Sequence, residues 1–256
     1  MKKLVVVIIS FLLVSFAFPE EYWVKPMKEV HNRFNGKKGS VATYGDSITY
    51  SEEFWTPIRG EVTDSGDVKN LKELTDYITE ESWDLKDEEN GNKIGWNVRD
   101  GLPVLSNCLR NHKPETAIIM FGTNDIEDGT ASPVIKRYEN DLNMFVKKCL
   151  DNGTIAILST IPPRREMLRQ VNKYNEIIKK TAELNKIPLV DYYEGMIKRR
   201  PDDWDGVLIR KDDGCHPTKK GNDWSEKGLK NSGYGLRNYL TVKKYAEVYM
   251  SIFKRQ

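Results

Sequence analysis

Four residues of this chain are of types that together can move an acyl group: Ser47, Asn124, Asp213 and His216. Ser47 stands in Gly45-Asp46-Ser47-Ile48-Thr49, just after the apolar run Ser40–Tyr44, which reads as a buried strand over 39–44. A serine past a glycine at the mouth of a strand is a candidate nucleophile, because glycine permits a tight turn and a close backbone approach. Taken alone, Gly-Asp-Ser also fits any surface turn. Asn124 belongs to Phe121-Gly122-Thr123-Asn124-Asp125 and follows a second apolar run, Thr116–Phe121. Its amide can donate to a developing oxyanion, where one donor is typically worth about 10²–10³ in rate; taken alone, it reads first as a turn residue. The chain has only three histidines, His31, His112 and His216. His31 lies in the N-terminal segment and His112 ends a helix before Lys113-Pro114, so both read as exposed or capping residues. His216 has Asp213 three positions earlier, a spacing at which a turn lets the carboxylate meet the imidazole. Such a contact fixes the tautomer and stabilises the imidazolium formed when the base takes a proton. An isolated Asp-x-x-His can also be purely structural.

These residues need elements to carry them, and the chain alternates strands with helices. After strand 39–44 comes a helical start at Ser51–Trp55, then a charged stretch over 57–94 with a helical candidate at Leu71–Trp83. Leu102–Asn111 reads as a helix with Pro103 in its first turn. Ser132 reads as the cap and Pro133 as the first residue of a long helix that Gly153 ends. Thr154–Ile161 is the next strand, followed by a helix over about Glu166–Leu184, a strand at Ile187–Tyr192 and a last helix from about Leu236 to Phe253. Short, continuously apolar strands separated by helices indicate a parallel sheet covered on both faces, an α/β fold in three layers, α/β/α. In such sheets ligands bind beyond the carboxyl ends of the strands, which is where Ser47 and Asn124 fall.

The order and content of the three motifs resemble the SGNH (GDSL-type) serine hydrolase family. Its first block is Gly-Asp-Ser, here Gly45-Asp46-Ser47. Its third is Gly-x-Asn-Asp, here Gly122-Thr123-Asn124-Asp125. Its fifth is Asp-x-x-His, here Asp213-Gly214-Cys215-His216. The resemblance spans about residues 39–218. It implies a flavodoxin-like parallel sheet, with Ser47 as nucleophile, His216 as general base, Asp213 as its orienting acid, and Asn124 with the Ser47 amide in the oxyanion hole. It also implies a second-block glycine whose amide completes that hole. Gly95 is preferred, although bulky Trp96 follows it, and Gly101 is the alternative. Cys215 departs from the aliphatic usual at its position, and reads as buried filler or as a thiol beside the base. The implied chemistry is attack on an ester, an acyl-enzyme, and release by water, with no cofactor and no metal.

Composition narrows the setting. The chain has 256 residues, 39% hydrophobic and 30% charged, enough for one substantial core. Lys2 and Lys3 precede an apolar run from Leu4 to Phe18, and Ser15-Phe16-Ala17 offers small residues to a signal peptidase. Residues 1–17 are therefore expected to be a cleaved signal peptide, with a single hydrolase domain over 18–256, a secreted or periplasmic location, and no stable membrane insertion after cleavage. The formal charge is +2, from 40 basic and 38 acidic residues, and loss of Lys2 and Lys3 balances it. No global basic field remains to hold nucleic acid. There are three cysteines, Cys108, Cys149 and Cys215. In an oxidising compartment Cys108 and Cys149, both near helix ends, are candidates for a bridge; the alternative is three small buried apolar residues. Cysteines and histidines show no zinc spacing.

The expected substrate is a small-molecule or polysaccharide ester. Trp55, Trp96 and Trp204 lie near the active edge, where Trp96 and Trp204 are candidates to stack on sugar rings; core packing is the other use of tryptophan. The connection Arg200–Gly206 is a candidate substrate wall. No amphipathic lid is visible. These features favour O-deacetylation of a carbohydrate by a secreted esterase. A lipolytic arylesterase or lysophospholipase of the same family, an acyltransferase, and a non-catalytic glycan-binding relative are the alternatives.

Overall fold

The computed structural model describes residues 21–60, 62–219 and 221–254. The expected signal segment 1–17 lies outside the described residues. Four parallel strands, β1 (Lys37–Gly45), β2 (Pro114–Met120), β3 (Ile155–Ser159) and β4 (Leu189–Val190), lie side by side in chain order. β2 and β3 are buried at every residue, which is why each reads as an uninterrupted apolar run rather than an alternation.

Helix α1 (Val24–His31) precedes the sheet. The four-residue α2 (Ser47–Tyr50) follows β1, and α3 (Leu71–Tyr77) lies in the long connection to α4 (Val98–His112). Then come α5 (Ser132–Asp151), α6 (Leu168–Asn185), α7 (Tyr192–Arg199), α8 (Glu226–Leu229) and α9 (Gly233–Val248). Right-handed crossovers between strands in sequential order put α4, α5 and α6 on one face of the sheet, and these helices pack successively on one another. α1 and α9 pack on β3 and β4 and form the other layer. The α/β/α architecture expected from the sequence is therefore the one observed. Among the described residues, no helix is long and apolar enough to cross a membrane.

Several boundaries differ from those read in the sequence. Asn97 caps α4 and forms a capping box with Asp100, so the helix starts four residues before Leu102 and Pro103 sits in its second turn. Ala131, not Ser132, is the N-cap of α5, which moves Pro133 to the second position. The helical start expected at Ser51 is earlier, at Ser47. Ile78 breaks the Leu71–Trp83 candidate into α3 and a short 3₁₀ turn at Glu80–Trp83. β4 is only two residues long because Asp191 caps α7 through its side chain.

A flavodoxin-type sheet carries a further strand outside β1. Here that strand is reduced to one parallel bridge, Gly45 with Asn92. Side chains take over its hydrogen bonds: Ser82 Oγ accepts from Val41 N at 2.8 Å, and Asn92 Nδ2 donates to Thr43 O at 2.8 Å. The buried outer edge of β1 is thus satisfied without a ladder, and residues 91–95 are held alongside the end of the strand.

Candidate active site

The register of β1 and β2 brings the first two motifs together. Gly45 is aligned with Met120, so both strands end at the same edge, with Ser47 two residues past one end and Asn124 four past the other. At Gly45 a Cβ would lie 2.2 Å from Thr49 Oγ1 and 2.6 Å from Met120 O. Only glycine lets the chain fold this closely from strand into α2. Asp46, fully buried, caps α2: its Oδ1 accepts from Ile48 N at 3.0 Å. Burial pushes its carboxyl up from the usual range, opposed by the Ile48 amide and the nearby Arg237. Ser47 is the first helical residue, and its side chain is half-buried rather than sealed in.

The third motif arrives on the segment after α7. Trp204 O accepts from the amides of Leu208 and Ile209, and Arg210 N donates to His216 O at 2.8 Å, closing the turn that contains Asp213. Thr218 ties this segment to the start of α9, accepting from Tyr234 N through its carbonyl and from Gly233 N through its hydroxyl. The loop after β3 braces it from the other side, where Arg165 N donates to Gly214 O at 2.8 Å and the Arg165 guanidinium holds both oxygens of Asp205.

The outcome is a continuous chain of contacts. Ser47 Oγ lies 2.8 Å from His216 Nε2, and His216 Nδ1 lies 3.0 Å from Asp213 Oδ2. The other carboxylate oxygen, Oδ1, accepts from the amides of Cys215 and His216, each at 2.9 Å. Burial acts to raise the Asp213 carboxyl, but these two amides and the imidazole outweigh it and hold it below the ordinary carboxylate range. An ionised Asp213 accepts Nδ1–H, which leaves Nε2 as the acceptor facing Ser47.

Asn124 Nδ2 donates to Trp96 O at 2.7 Å, and the amide retains a second N–H. Its neighbour Asp125 accepts from Val98 N through both carboxylate oxygens, at 3.1 and 3.3 Å. The two residues together pin the segment 95–98 beside the end of β2. Gly95 within it has φ +82°, is exposed, and has nothing within 4 Å of a would-be Cβ. Among the described residues, the amides of Ser47 and Gly95 donate to no protein group. Gly101 is placed differently. It lies in the body of α4, where a Cβ would come within 2.9 Å of Phe121, so it is a packing glycine whose amide belongs to the helix ladder.

The tryptophans correct an expectation. Trp96 is 8% exposed and Trp55 0%, and Trp55 stacks on Trp83 at 5.3 Å. Both rings are core residues, and what Trp96 offers the site is its carbonyl. Trp204 is half-buried against the core. Of the two alternatives for Cys108 and Cys149, a bridge or buried apolar residues, the second is observed: both thiols are free and buried, and Cys108 donates to Glu89 O at 2.9 Å. Cys215, also free, is pushed up to about 11 by burial, which keeps it a neutral thiol beside the base. His31 is neither exposed nor a cap; its Nε2 lies 2.8 Å from Oε1 of the buried Glu115.

Residues not singled out in the sequence surround α2. Arg237 on α9 is 1% exposed, and donates to Ile48 O at 2.7 Å and Thr49 Oγ1 at 2.9 Å. Lys86 donates to Thr49 O at 2.7 Å and Phe54 O at 3.1 Å. The only sequence signal for Arg237 is an arginine beside Leu236 on the apolar last helix.

The family model described as GDSL-like Lipase/Acylhydrolase matches residues 43–224, more than half of this chain. An arylesterase from Vibrio mimicus is 26% identical over 137 residues, covering 53% of this chain and 64% of that protein. The chain thus spans slightly less than two thirds of the length of this curated relative. A GDSL-like lipase from Bacteroides thetaiotaomicron superposes with a TM-score of 0.56 at 18% identity, over 89% of this chain and 98% of the other. A catalytic mutant of an acetylxylan esterase from Geobacillus stearothermophilus superposes with a TM-score of 0.53 at 18% identity, over 82% and 95% of the two chains. These structural likenesses are likenesses of fold.

Proposed function

The chain belongs to the GDSL-like lipase/acylhydrolase family, and we propose that it is an exported serine esterase that removes small acyl groups, acetyl above all, from a carbohydrate. The observation that carries the esterase reading is the contact chain Ser47 Oγ–His216 Nε2 and His216 Nδ1–Asp213 Oδ2, at 2.8 and 3.0 Å. In this mechanism Ser47 Oγ attacks the ester carbonyl while His216 Nε2 takes its proton. The oxyanion is met by the Ser47 and Gly95 amides and by the N–H of Asn124 that Trp96 does not use. The imidazolium then protonates the leaving alcohol. Water, deprotonated by the same His216, releases the acid from the acyl-enzyme. The basic, apolar N-terminal sequence Lys2–Ala17 supports export.

Support for a carbohydrate alcohol comes from the segment that brings His216. It carries the half-buried Trp204 between the exposed Asp203 and Asp205, an aromatic set among polar groups. A second reading, a lipolytic arylesterase, is favoured by the Vibrio mimicus relative, and by Tyr50 and Ile94, which are 37% and 67% exposed beside Ser47 and Gly95 in the chain.

Labelling with a fluorophosphonate probe, followed by rates on acetyl, butyryl and octanoyl esters, tests both readings. Ser47→Ala is expected to abolish labelling and hydrolysis, and full activity in that variant refutes the mechanism. Rates that fall from acetyl to octanoyl, with acetate released from an acetylated polysaccharide, support the carbohydrate reading. Rates that rise with chain length overturn it in favour of the lipolytic one.

A further inference from the structure

α2 is only four residues long, so most of its carbonyls have no partner inside the helix. Ser47 O accepts from Ser51 N at 3.1 Å. The next two carbonyls are each met by a cation: Ile48 O by Arg237 at 2.7 Å and Thr49 O by Lys86 at 2.7 Å. Lys86 also reaches Phe54 O, and Arg237 also binds the Thr49 hydroxyl. Both cations also lie over the Phe54 ring, the guanidinium 3.5 Å from its centroid and the ammonium 5.2 Å. Asn238, next to Arg237 on α9, extends the grip: it donates to Glu53 O at 2.9 Å and accepts from Trp55 N at 3.0 Å.

This arrangement is electrostatically unfavourable on its face. Among the described residues neither cation is in an ion pair, and Arg237 Nε is buried without a partner. Burial, reinforced by the Arg237 charge, pushes Lys86 down to about 7 against the opposing fields of Glu52 and Asp84, and burial pushes Arg237 down to about 10. Asp46 lies near enough to oppose the Arg237 shift, but burying a charge is still costly unless hydrogen bonds satisfy it. Here every one of them ends on the segment that begins with Ser47.

We infer that Lys86 and Arg237 are positioning residues for the nucleophile: they clamp the carbonyl end of α2 and so hold Ser47 Oγ at the distance from His216 that proton transfer requires. The inference rests on Ser47 being the nucleophile. α9 bonds both to this turn and, through Tyr234 N and Gly233 N, to the segment carrying His216, so one helix sets the separation of base and nucleophile. Lys86 comes from the connection before α4 and ties Thr49 O to Phe54 O.

The test compares Lys86→Met, Lys86→Arg, Arg237→Met and Arg237→Lys with the wild type in the full chain. The readouts are kcat per site titrated by the fluorophosphonate probe, KM for an acetyl ester, and melting temperature. Displacing a reacting atom by about 1 Å lowers rates by about 10²-fold. Arg237→Met, which removes two bonds to α2, is expected to approach that loss in kcat per titrated site, and Lys86→Met, which removes one, to lose about 10-fold. KM should be nearly unchanged in both, and Lys86→Arg and Arg237→Lys should recover most of the rate, because they restore charged donors. Wild-type kcat per titrated site in Lys86→Met and Arg237→Met overturns the inference, as does a loss that follows the folded fraction alone. If Arg237→Met does not fold, the Lys86 pair decides, since Lys86 is less completely buried than Arg237. Failure of the underlying mechanism is separate: it appears as activity in Ser47→Ala, whatever the clamp variants do.

Discussion

Replacing Asp213 with asparagine should impair the enzyme more than replacing it with alanine, and the geometry of the loop gives the reason. Asp213 Oδ1 accepts from two amides, those of Cys215 and His216, while Oδ2 faces His216 Nδ1 at 3.0 Å. An asparagine must place its single oxygen on one side or the other. With the oxygen on the two amides, its NH₂ points at Nδ1. Nδ1 must then be the acceptor, which moves the ring proton to Nε2, the atom facing Ser47 Oγ at 2.8 Å. In that tautomer His216 cannot take the serine proton. The flipped amide would set two N–H donors against two more, so the loop itself selects the inactive tautomer. In a buried triad this substitution lowers kcat by about 10⁴-fold. The Asp213 side chain is 31% exposed, so water competes for Nδ1 and the expected loss is about 10³-fold. Alanine leaves Nδ1–H to water and the tautomer free, and should retain more activity than asparagine.

Stability should run the other way. Alanine leaves two loop amides without their acceptor, a loss of about 1–3 kcal/mol, whereas asparagine keeps both bonds. The assay is kcat per titrated site on an acetyl ester, with melting temperature measured on the same samples. Asparagine is predicted to be the slower and more stable variant, alanine the faster and less stable one. An asparagine variant as active as alanine or more so would refute the tautomer argument, because it would show that the orientation of Asp213 does not decide which ring nitrogen carries the proton.

Asn124→Ala should lower kcat by about 10²-fold or more through loss of an oxyanion donor; a change confined to KM on the ester panel would remove Asn124 from that role. Asp125 is 6% exposed, and burial pushes its carboxyl up to about 7. Its folded value is raised, so its contribution to stability is complete below the unfolded value near 4 and is lost as pH rises through about 7. Asp125→Asn keeps an acceptor for Val98 N without this ionisation. The melting temperature of the asparagine variant relative to wild type should therefore rise between pH 4 and 7 by about 5–10 °C, and a difference that stays constant across that range would refute the assignment.

What could be read from the chain divides along physical lines. Strands β1, β2 and β3 were legible because a two-sided buried strand has to be apolar throughout. Ser47, Asn124, Asp213 and His216 were legible because the chemistry restricts both residue type and place. The α4 start was missed where a capping box at Asn97–Asp100 competed with the more conspicuous Pro103. α7 was missed because Tyr192 and Tyr193 continue the apolar character of β4, and only the Asp191 cap marks the change. The stacking role expected of Trp96 failed because a ring next to an exposed loop glycine can still turn into the core, as Trp96 does while presenting only its carbonyl to Asn124.

The least legible part is what holds the site together, and it has a common character. Arg237, Lys86, Asn238, Asn92 and Ser82 each bond a main-chain carbonyl or amide of β1, α2 or the turn after it. A backbone group has no residue type, so nothing in the residues being held announces the residue that holds them, and the two lie far apart in the chain. Arg237 and Ile48 are separated by 189 positions. The nucleophile turn needs this support because it is short: a four-residue helix at the end of a strand that lacks its outer neighbour cannot fix its own geometry. A motif search recovers the atoms that react. The groups that keep Ser47 and His216 in contact follow from asking where each carbonyl of that turn finds its donor.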